Sequence, residues 1–458
     1  MTPRLKLSLR AVALAAAALL SAHASAQTMN AADLQKQAEM AMAAANQAMA
    51  AAKQAQAAAE QAMQALAQAR AAAAQAQAAA PVAAPRAGAA PEGGGLTIQS
   101  GNNHLTLYGL IDVTITNVNH VDAASNSRTS YQSAPWFSGS RWGITGRREL
   151  GDSGLRGIFR LESEFVTNTG EEDAAGILFG RDAWAGLESD TYGKFSFGRQ
   201  NALARDFAAI YLDPYGAAKS STNEGGGTNT NNFKQLIFYA GSATGTRYDR
   251  GVVWKKAFDS GLVAGLGFQF GGVAGSFDRN TTKTASLGFN GSMFNVAGYV
   301  TSADVNGLKH DSYSVGGNVS FGMVRVNTGY FHYTAQQGAA NAAGTRKDDA
   351  VTLSASFAPA GKLDYQLGYQ VMRANHAGIT GAGATANVPN AFADTTAIAA
   401  VTSGKRKTLY GSIMYHFDKT TEVYFAADKL SLTDGYRVKA LAGALDQTEF
   451  GVGLRLRF

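Results

Sequence analysis

The chain contains no cysteine, which removes thiolate chemistry, thiolate metal sites and any disulfide framework. Charge is sparse, at 16% Asp, Glu, Lys and Arg. The formal net charge of +6 falls to +3 once Arg4, Lys6 and Arg10 are set aside as part of a leader. So small an excess does not point to nucleic acid. Histidine is scarce too. Beyond the leader there are His104, His120, His310, His332, His376 and His416, scattered without the nucleophile, base and orienting group that a hydrolase needs. No HExxH motif and no phosphate-binding glycine loop occurs, so no catalytic centre, metal site or cofactor is expected. Long apolar runs are missing as well. The stretch Ala11 to Leu20 falls short of the roughly 20 residues that cross a bilayer as a helix.

Several features stand against these absences. Arg4, Lys6 and Arg10, the short apolar stretch after them and Ala24-Ser25-Ala26 form the basic, apolar and small-residue regions of a secretory signal over residues 1–26. Residues 27–80 follow as an Ala-rich segment. From Ala38 its small residues recur at alternating spacings of three and four, through Ala41, Ala45, Ala48 and Ala52 to Ala80, and Gln47, Gln54, Gln61, Gln68 and Gln75 mark every seventh position. Alanine is the best helix former, and a strict seven-residue repeat imposes left-handed supercoiling. A lone helix with an alanine seam buries little apolar area, so the repeat predicts a coiled coil. At about 1.5 Å per residue it would be a rod of roughly 75 Å. A Pro/Gly-rich linker, 81–104, then breaks the helix with PVAAPRAGAAPEGGG.

From residue 105 the pattern changes to short alternating segments. Leu105, Leu107, Ile111, Val113 and Ile115 share one face of the first, with Thr106, Asp112, Thr114 and Thr116 on the other and Tyr108 and Leu110 as the exceptions on that face. In the last, Phe450, Val452, Leu454, Leu456 and Phe458 alternate with Gly451, Gly453, Arg455 and Arg457. Sixteen candidate strands follow: 105–116, 139–150, 154–165, 178–188, 193–200, 245–257, 261–271, 282–290, 293–302, 311–320, 323–333, 347–358, 362–373, 405–417, 420–432 and 446–458. Their joints alternate, with little exception, between tight turns such as Gly151-Asp152-Ser153 and long loops such as 117–138, 201–244 and 374–404. Long loops on one rim and short turns on the other are the asymmetry of outer-membrane barrels. In lipid only a closed sheet leaves no unpaired edge. The expected fold is all-β, a 16-stranded antiparallel transmembrane β-barrel (105–458) preceded by an N-terminal α-helical coiled-coil segment in the periplasm. Tyr108, Phe165, Phe270, Tyr333 and Phe458 lie near strand ends, where interfacial aromatic girdles or plain lipid contacts are expected.

Certain segments resemble the general porins of Gram-negative bacteria, especially those of beta-proteobacteria: Leu107-Tyr108-Gly109-Leu110-Ile111-Asp112, Ser138-Gly139-Ser140-Arg141-Trp142-Gly143-Ile144-Thr145-Gly146, Leu178-Phe179-Gly180-Arg181 and Gly198-Arg199-Gln200. The resemblance runs through 105–458 and is densest over 105–200. It implies a passive, outer-membrane diffusion pore, a homotrimer with one pore per chain, and a third long loop (201–244) folded inward as a constriction. It also implies that the terminal Phe458 is a signal read by the outer-membrane assembly machinery. In similar porins wall arginines face loop acids. By motif position the wall arginines are Arg141, Arg199 and Arg247, and the acids available on the loop are Asp206, Asp213 and Glu224.

Alternation by itself directs Arg141 away from Trp142 and Ile144, and sends Arg156 and Arg160 to the same side as Glu162 and Glu164. Arg199 falls on the face of Phe195 and Phe197, so a lumenal position there requires a bulge at Gly198. Opposed charges of this kind orient solutes and bias ion passage, and arginine-lined walls predict a weak anion preference. The helical segment departs from the family pattern. It is expected to serve as a trimerisation stem or spacer, with the periplasmic cell wall, peptidoglycan, as a candidate partner. Two rival readings stay open: a substrate-specific channel, hinted at by Tyr211, Tyr215 and Tyr239, and an envelope tether in which the coil matters more than the pore.

Overall fold

Period-two alternation is satisfied in a sheet whose two faces meet different solvents. The computed structural model describes residues 95–458, apart from 123, 132–135, 208–244, 337–344, 359–360, 378–401 and 437–442. The chain divides into two compact units, 1–82 and 83–458, and the described residues belong to the second. The expected signal, the Ala-rich segment and most of the linker lie outside them, as do Asp213, Glu224, Tyr211, Tyr215 and Tyr239.

The strands are β1 (Leu96–Ser100), β2 (Asn103–Val118), β3 (Arg128–Tyr131), β4 (Ser140–Glu149), β5 (Arg156–Phe165), β6 (Asp182–Ser189), β7 (Gly193–Asn201), β8 (Arg247–Ala257) and β9 (Leu262–Gln269). There follow β10 (Thr282–Asn290), β11 (Phe294–Val305), β12 (Leu308–Phe321), β13 (Val324–Ala335), β14 (Arg346–Phe357), β15 (Leu363–Ala377), β16 (Thr402–His416), β17 (Thr421–Thr433) and β18 (Asp446–Arg457). One short helix, α1 (Leu203–Phe207), follows β7.

From β4 to β18 each strand pairs antiparallel with the next. Strand β2 closes the ring. Its first half pairs with β4, from Asn103↔Arg148 to Leu110↔Arg141. Its second half pairs with β18, from Leu110↔Arg457 to Val118↔Glu449. The closed barrel therefore has sixteen strands, β2 and β4–β18, as the alternation predicts. The shared strand leaves two half-edges open, and two strands outside the sequence prediction fill them. β1 pairs with the lower half, Leu96↔Leu107 to Ser100↔Asn103, so the chain is already sheet within the span assigned to the linker. β3 pairs with the upper half, Ile115↔Tyr131 to Val118↔Arg128.

Connections follow the expected alternation of short turns and long loops, with one exception on the loop rim. There β11 and β12 meet through Asn306–Gly307, with φ of 56° and 87°. Positive φ at both central residues is the geometry that suits a two-residue hairpin to twisted strands. In the turn after β16, the Asp418 carboxylate accepts from the backbone N–H groups of Thr420 and Thr421 and from the Thr420 hydroxyl, which holds it below the usual carboxylate range.

The sidedness is inverted relative to a soluble sheet. Leu287, Val300, Leu353, Leu367, Leu409, Phe425 and Val452 stand exposed on the outer face, while Asp112, Glu162, Arg346 and Arg455 are buried on the inner one. That is the pattern of a wall between lipid and a polar interior. Two apolar clusters interrupt the polar lining. One joins Leu203, Ala204 and Phe207 of α1 to Tyr248, Val253, Ala297 and Tyr299, and runs on to Phe331, Tyr333 and Leu430. The other joins Trp136 and Phe137 to Tyr410, Met414 and Tyr424. Tyr108 and Tyr333 therefore do not belong to an interfacial girdle. Tyr333 points inward to His310, 2.9 Å from Nδ1 to its hydroxyl, and Tyr108 reaches Glu162 across the inner face. A buried tyrosine keeps its hydroxyl only with a polar partner, and on these strands the partner is inside. Phe270 and Phe458 are exposed on the outer wall.

Candidate functional site

Strand β5 presents Arg156, Ile158, Arg160, Glu162 and Glu164 on one face, two residues apart as a strand requires, and β4 sets Arg141 opposite Glu164. These side chains meet inside the barrel. The Glu162 carboxylate is 1% exposed. It takes Arg160 Nη2 at 2.5 Å, Arg181 Nε at 2.5 Å and the Tyr108 hydroxyl at 2.7 Å. Arg160 Nε also donates to the Tyr108 hydroxyl at 2.7 Å and lies 3.3 Å from Asp182. Arg181 bridges Glu162 and Glu164. Gly139 leaves the space that Glu164 occupies, since a Cβ there would fall on the carboxylate. Arg141 is 6% exposed and acts on Glu162 and Glu164 through its charge.

The long loop after β7 turns inward at its start. The α1 side chains Leu203, Ala204 and Phe207 are buried against β9, β10 and β11, in one apolar cluster with Tyr248, Val253, Ala297 and Tyr299. Tyr248 locks this floor, its hydroxyl 2.6 Å from Thr284. The helix carries Arg205, whose Nη1 donates to Asn201 at 2.7 Å, and Asp206, which pairs with Lys255 of β8 and accepts from Asn201 at 3.0 Å. Arg247 stands among the charges of Arg181, Arg205, Glu164 and Asp182. A loop acid thus does face a wall cation, but that cation is a lysine.

Of the five predicted wall arginines, Arg141, Arg160 and Arg247 come together with Asp206's helix. Arg156 sits at the turn-side mouth, bound to Glu188 at 3.3 Å and to Asp190 at 2.6 Å. Arg199 is held apart by the irregularity that its position demanded. The β7–β8 register does shift between Gly198 and Gln200. The extra residue lies on β8, however, where Gly251 and Tyr248 are the partners of Gly198 and Gln200. Gln200 keeps the side of Ser196, its Oε1 accepting from Ser196 Oγ at 2.6 Å. Arg199 consequently stays on the face of Phe197, donating to the Gly180 carbonyl at 2.7 Å and pairing with Asp249. Arg181, Asp182, Arg205 and Lys255 were not singled out from the sequence. Arg181 and Asp182 sit at the loop end of β6, where alternation is not yet established, and the only signal was the Arg181 of the family motif.

A second charge cluster lies at the closing seam, and sequence reasoning missed it. Arg455, 2% exposed, donates to Glu422 at 2.6 Å and to Ser138 at 3.1 Å, and lies 3.4 Å from Asp112. Tyr424 donates to Asp112 at 2.7 Å. His416 spans Glu422 and Asp364, at 3.0 and 2.8 Å. Five strands supply this cluster, and no short motif announces it. Both ring nitrogens of His416 are used in these pairs. Among the described residues no group of three His, Asp or Glu side chains is arranged to hold a metal ion.

The family model described as Gram-negative porin matches residues 57–435. An outer membrane porin protein of Bordetella pertussis is 33% identical over 197 residues, an alignment covering 40% of this chain and 46% of that protein, so less than half of the relative's length is spanned. In fold, the chain is similar to an anion-selective porin from Comamonas acidovorans at a TM-score of 0.56 and 20% identity, covering 78% of this chain and all of that one. It is also similar to the trimer form of in-vitro folded OmpT of Vibrio cholerae, at a TM-score of 0.52 and 16% identity over 78% of this chain and 99% of the other. The chain belongs to the Gram-negative porin family, a family of non-enzymatic channels, and its place is the outer membrane.

Proposed function

We propose that the barrel is a water-filled channel for passive diffusion of small hydrophilic solutes and ions, with a weak preference for anions. One observation carries this reading. On the side of β4–β8 the inner wall and α1 together bear Arg141, Arg160, Arg181, Arg205, Arg247, Lys194 and Lys255 beside Glu162, Glu164, Asp182 and Asp206, a local excess of cations facing the interior of a barrel whose apolar residues face lipid. The closing seam, by contrast, is richer in acids. Fixed charges of one prevailing sign in a narrow bore attract counter-ions. The fold shared with an anion-selective porin is in keeping with it. In this reading Arg141, Arg160 and Arg247 form the wall of the constriction and Asp206, Asp213 and Glu224 its loop side, while Arg156 holds the turn-side mouth and Arg199 lies outside the pore. Arg141→Glu is expected to lower anion preference, read as a shift of reversal potential in planar bilayers under a salt gradient. An unchanged potential would remove Arg141 from the site.

The same proposal assigns residues 1–26 to a cleaved signal, 27–80 to a periplasmic coiled coil acting as a trimerisation stem or spacer, and Phe458 to recognition during membrane assembly. A homotrimer accords with the trimer form known for the Vibrio cholerae structure, and a small-residue seam with a strict heptad accords with self-association. Peptidoglycan is the candidate periplasmic partner of the coil.

A further inference from the structure

The chain re-enters the barrel just before β4 begins. Strand β4 stays in register with β2 only as far as Leu110↔Arg141, and from Ile115 that edge of β2 is taken by β3. Between these pairings the chain over 136–138 lies inside the wall, bound to inward side chains of β2. The Trp136 N–H donates to Thr114 Oγ1 at 3.0 Å, and the Ser138 N–H to Asp112 Oδ2 at 3.0 Å. At the start of β4 the Ser140 hydroxyl accepts from the Asp112 N–H at 2.9 Å and donates to its carbonyl at 3.0 Å. Every second residue is thus tied to β2, the spacing of an extended chain.

Room for this segment comes from what the seam lacks. A Cβ on Gly451 of β18 would fall 2.8 Å from the Trp136 ring. Phe137 packs edge-on against the Tyr424 ring at 4.7 Å, with the Arg455 guanidinium 5.5 Å from its own ring. Both aromatic side chains are buried, in one cluster with Tyr410 and Met414 of β16, so they fill space inside the ring that water would otherwise hold. Helix α1 does the same against β9–β11, nearly opposite the seam around the ring of sixteen.

The seam charges acquire a role from this segment. A pore wall can leave its charges in lumenal water, yet Asp112 and Arg455 are both buried, which is unfavourable unless their lone pairs and protons are met. The segment meets them in part. The Asp112 carboxylate takes the Ser138 N–H beside the Tyr424 hydroxyl and Arg455, and Arg455 Nη2 donates to Ser138 Oγ at 3.1 Å. A buried ion pair is weak evidence for stability; what this one determines is where Ser138 lies. We propose that Trp136–Ser138 is a second constriction of the lumen, and that Asp112 and Arg455 are its positioning residues. The inference rests on the reading of the barrel as a diffusion channel and adds a determinant of its width. Trp136 and Phe137 bring no charge, so this constriction selects solutes by girth. The same anchor fixes the start of β4, three residues before Arg141.

The test measures single-channel conductance of the full chain in planar bilayers, together with the largest polyethylene glycol that enters the channel. Trp136→Ala leaves the anchor intact and is expected to raise conductance roughly 1.5-fold, in proportion to the cross-section freed, and to admit a larger polymer. Asp112→Asn, which keeps the size of the side chain, is expected to do the same. The double variant should gain no more than Trp136→Ala alone, because Asp112 acts through the segment. Ser138→Pro removes the N–H and the hydroxyl from the other side of the anchor, and gives the same reading if Asp112→Asn does not assemble. A Trp136→Ala channel with the conductance and polymer limit of the wild type overturns the constriction. Gains that add in the double variant overturn the positioning role of Asp112. A wild type that passes no current overturns the channel reading and this inference with it, whereas a conducting wild type confines any failure to the inference.

Discussion

Glu162 shows how single residues set the interior. A carboxylate removed from water is stabilised only by good partners, and breaking a buried pair costs more than never forming it. Glu162 has three partners, Arg160, Arg181 and the Tyr108 hydroxyl, and it bridges two guanidinium groups that would otherwise repel across the inner wall. Glu162→Gln is expected to destabilise the barrel by about 2–4 kcal/mol, the range for a buried pair broken from one side reduced for contact with the lumen. It should at the same time move ion preference further towards anions. Urea unfolding in detergent reads the first effect and reversal potential the second; a variant with both values of the wild type would show that Glu162 does not organise the arginines. The charge and face of Arg141 and Arg160 were legible from alternation. So were Glu162 and Glu164 beside them; the further cations of the cluster were not, because Arg181, Arg205 and Lys255 are brought there by register and by the inward course of a loop.

At the scale of elements, strand β2 does two jobs. Its halves pair with the strands at the two ends of the barrel sequence, so the seam depends on contacts between residues more than 300 positions apart. Tyr424 spans it, with its hydroxyl on Asp112 and Thr114, and its ring occupies the space over Gly453, where a Cβ would come within 2.1 Å of it. Gly453→Ala must therefore push the tyrosine off Asp112. Overpacking of this kind costs about 1–3 kcal/mol, and the thermal transition in detergent is expected to fall accordingly; an unshifted transition would mean that the ring moves without loss of its hydrogen bonds. The sixteen strands were legible because each keeps its alternation over enough residues to be read. Strands β1 and β3 were not. Five and four residues long, they carry almost no periodicity and exist because β2 leaves half-edges to be filled.

For the whole molecule, the proposed stem and the barrel occupy different stretches of the sequence. Deleting residues 31–80 is expected to leave single-channel conductance within about the scatter of the wild type while reducing the heat resistance of the proposed trimer on electrophoresis, since an alanine seam contributes little buried area per chain and gains mainly by association. Loss of conductance would make the helical segment part of the pore. An unchanged trimer with loss of envelope anchoring would make it a tether.

Composition and period-two patterning determined by themselves that this is an exported sixteen-stranded barrel with lipid outside and polar groups within, because the side-chain period of a strand assigns each residue to a face whatever the fold. They did not determine which charges meet. Arg199 lies with Asp249 and not in the cluster because the extra residue of a bulge fell on the neighbouring strand. Tyr108 lay on the polar face by alternation, but its partner Glu162, like the His310 partner of Tyr333, is met only across strands. The seam of Asp112, Glu422 and Arg455 exists only once the ring is closed. Pairing register and closure are properties of the assembled sheet, and no local run of residues encodes them.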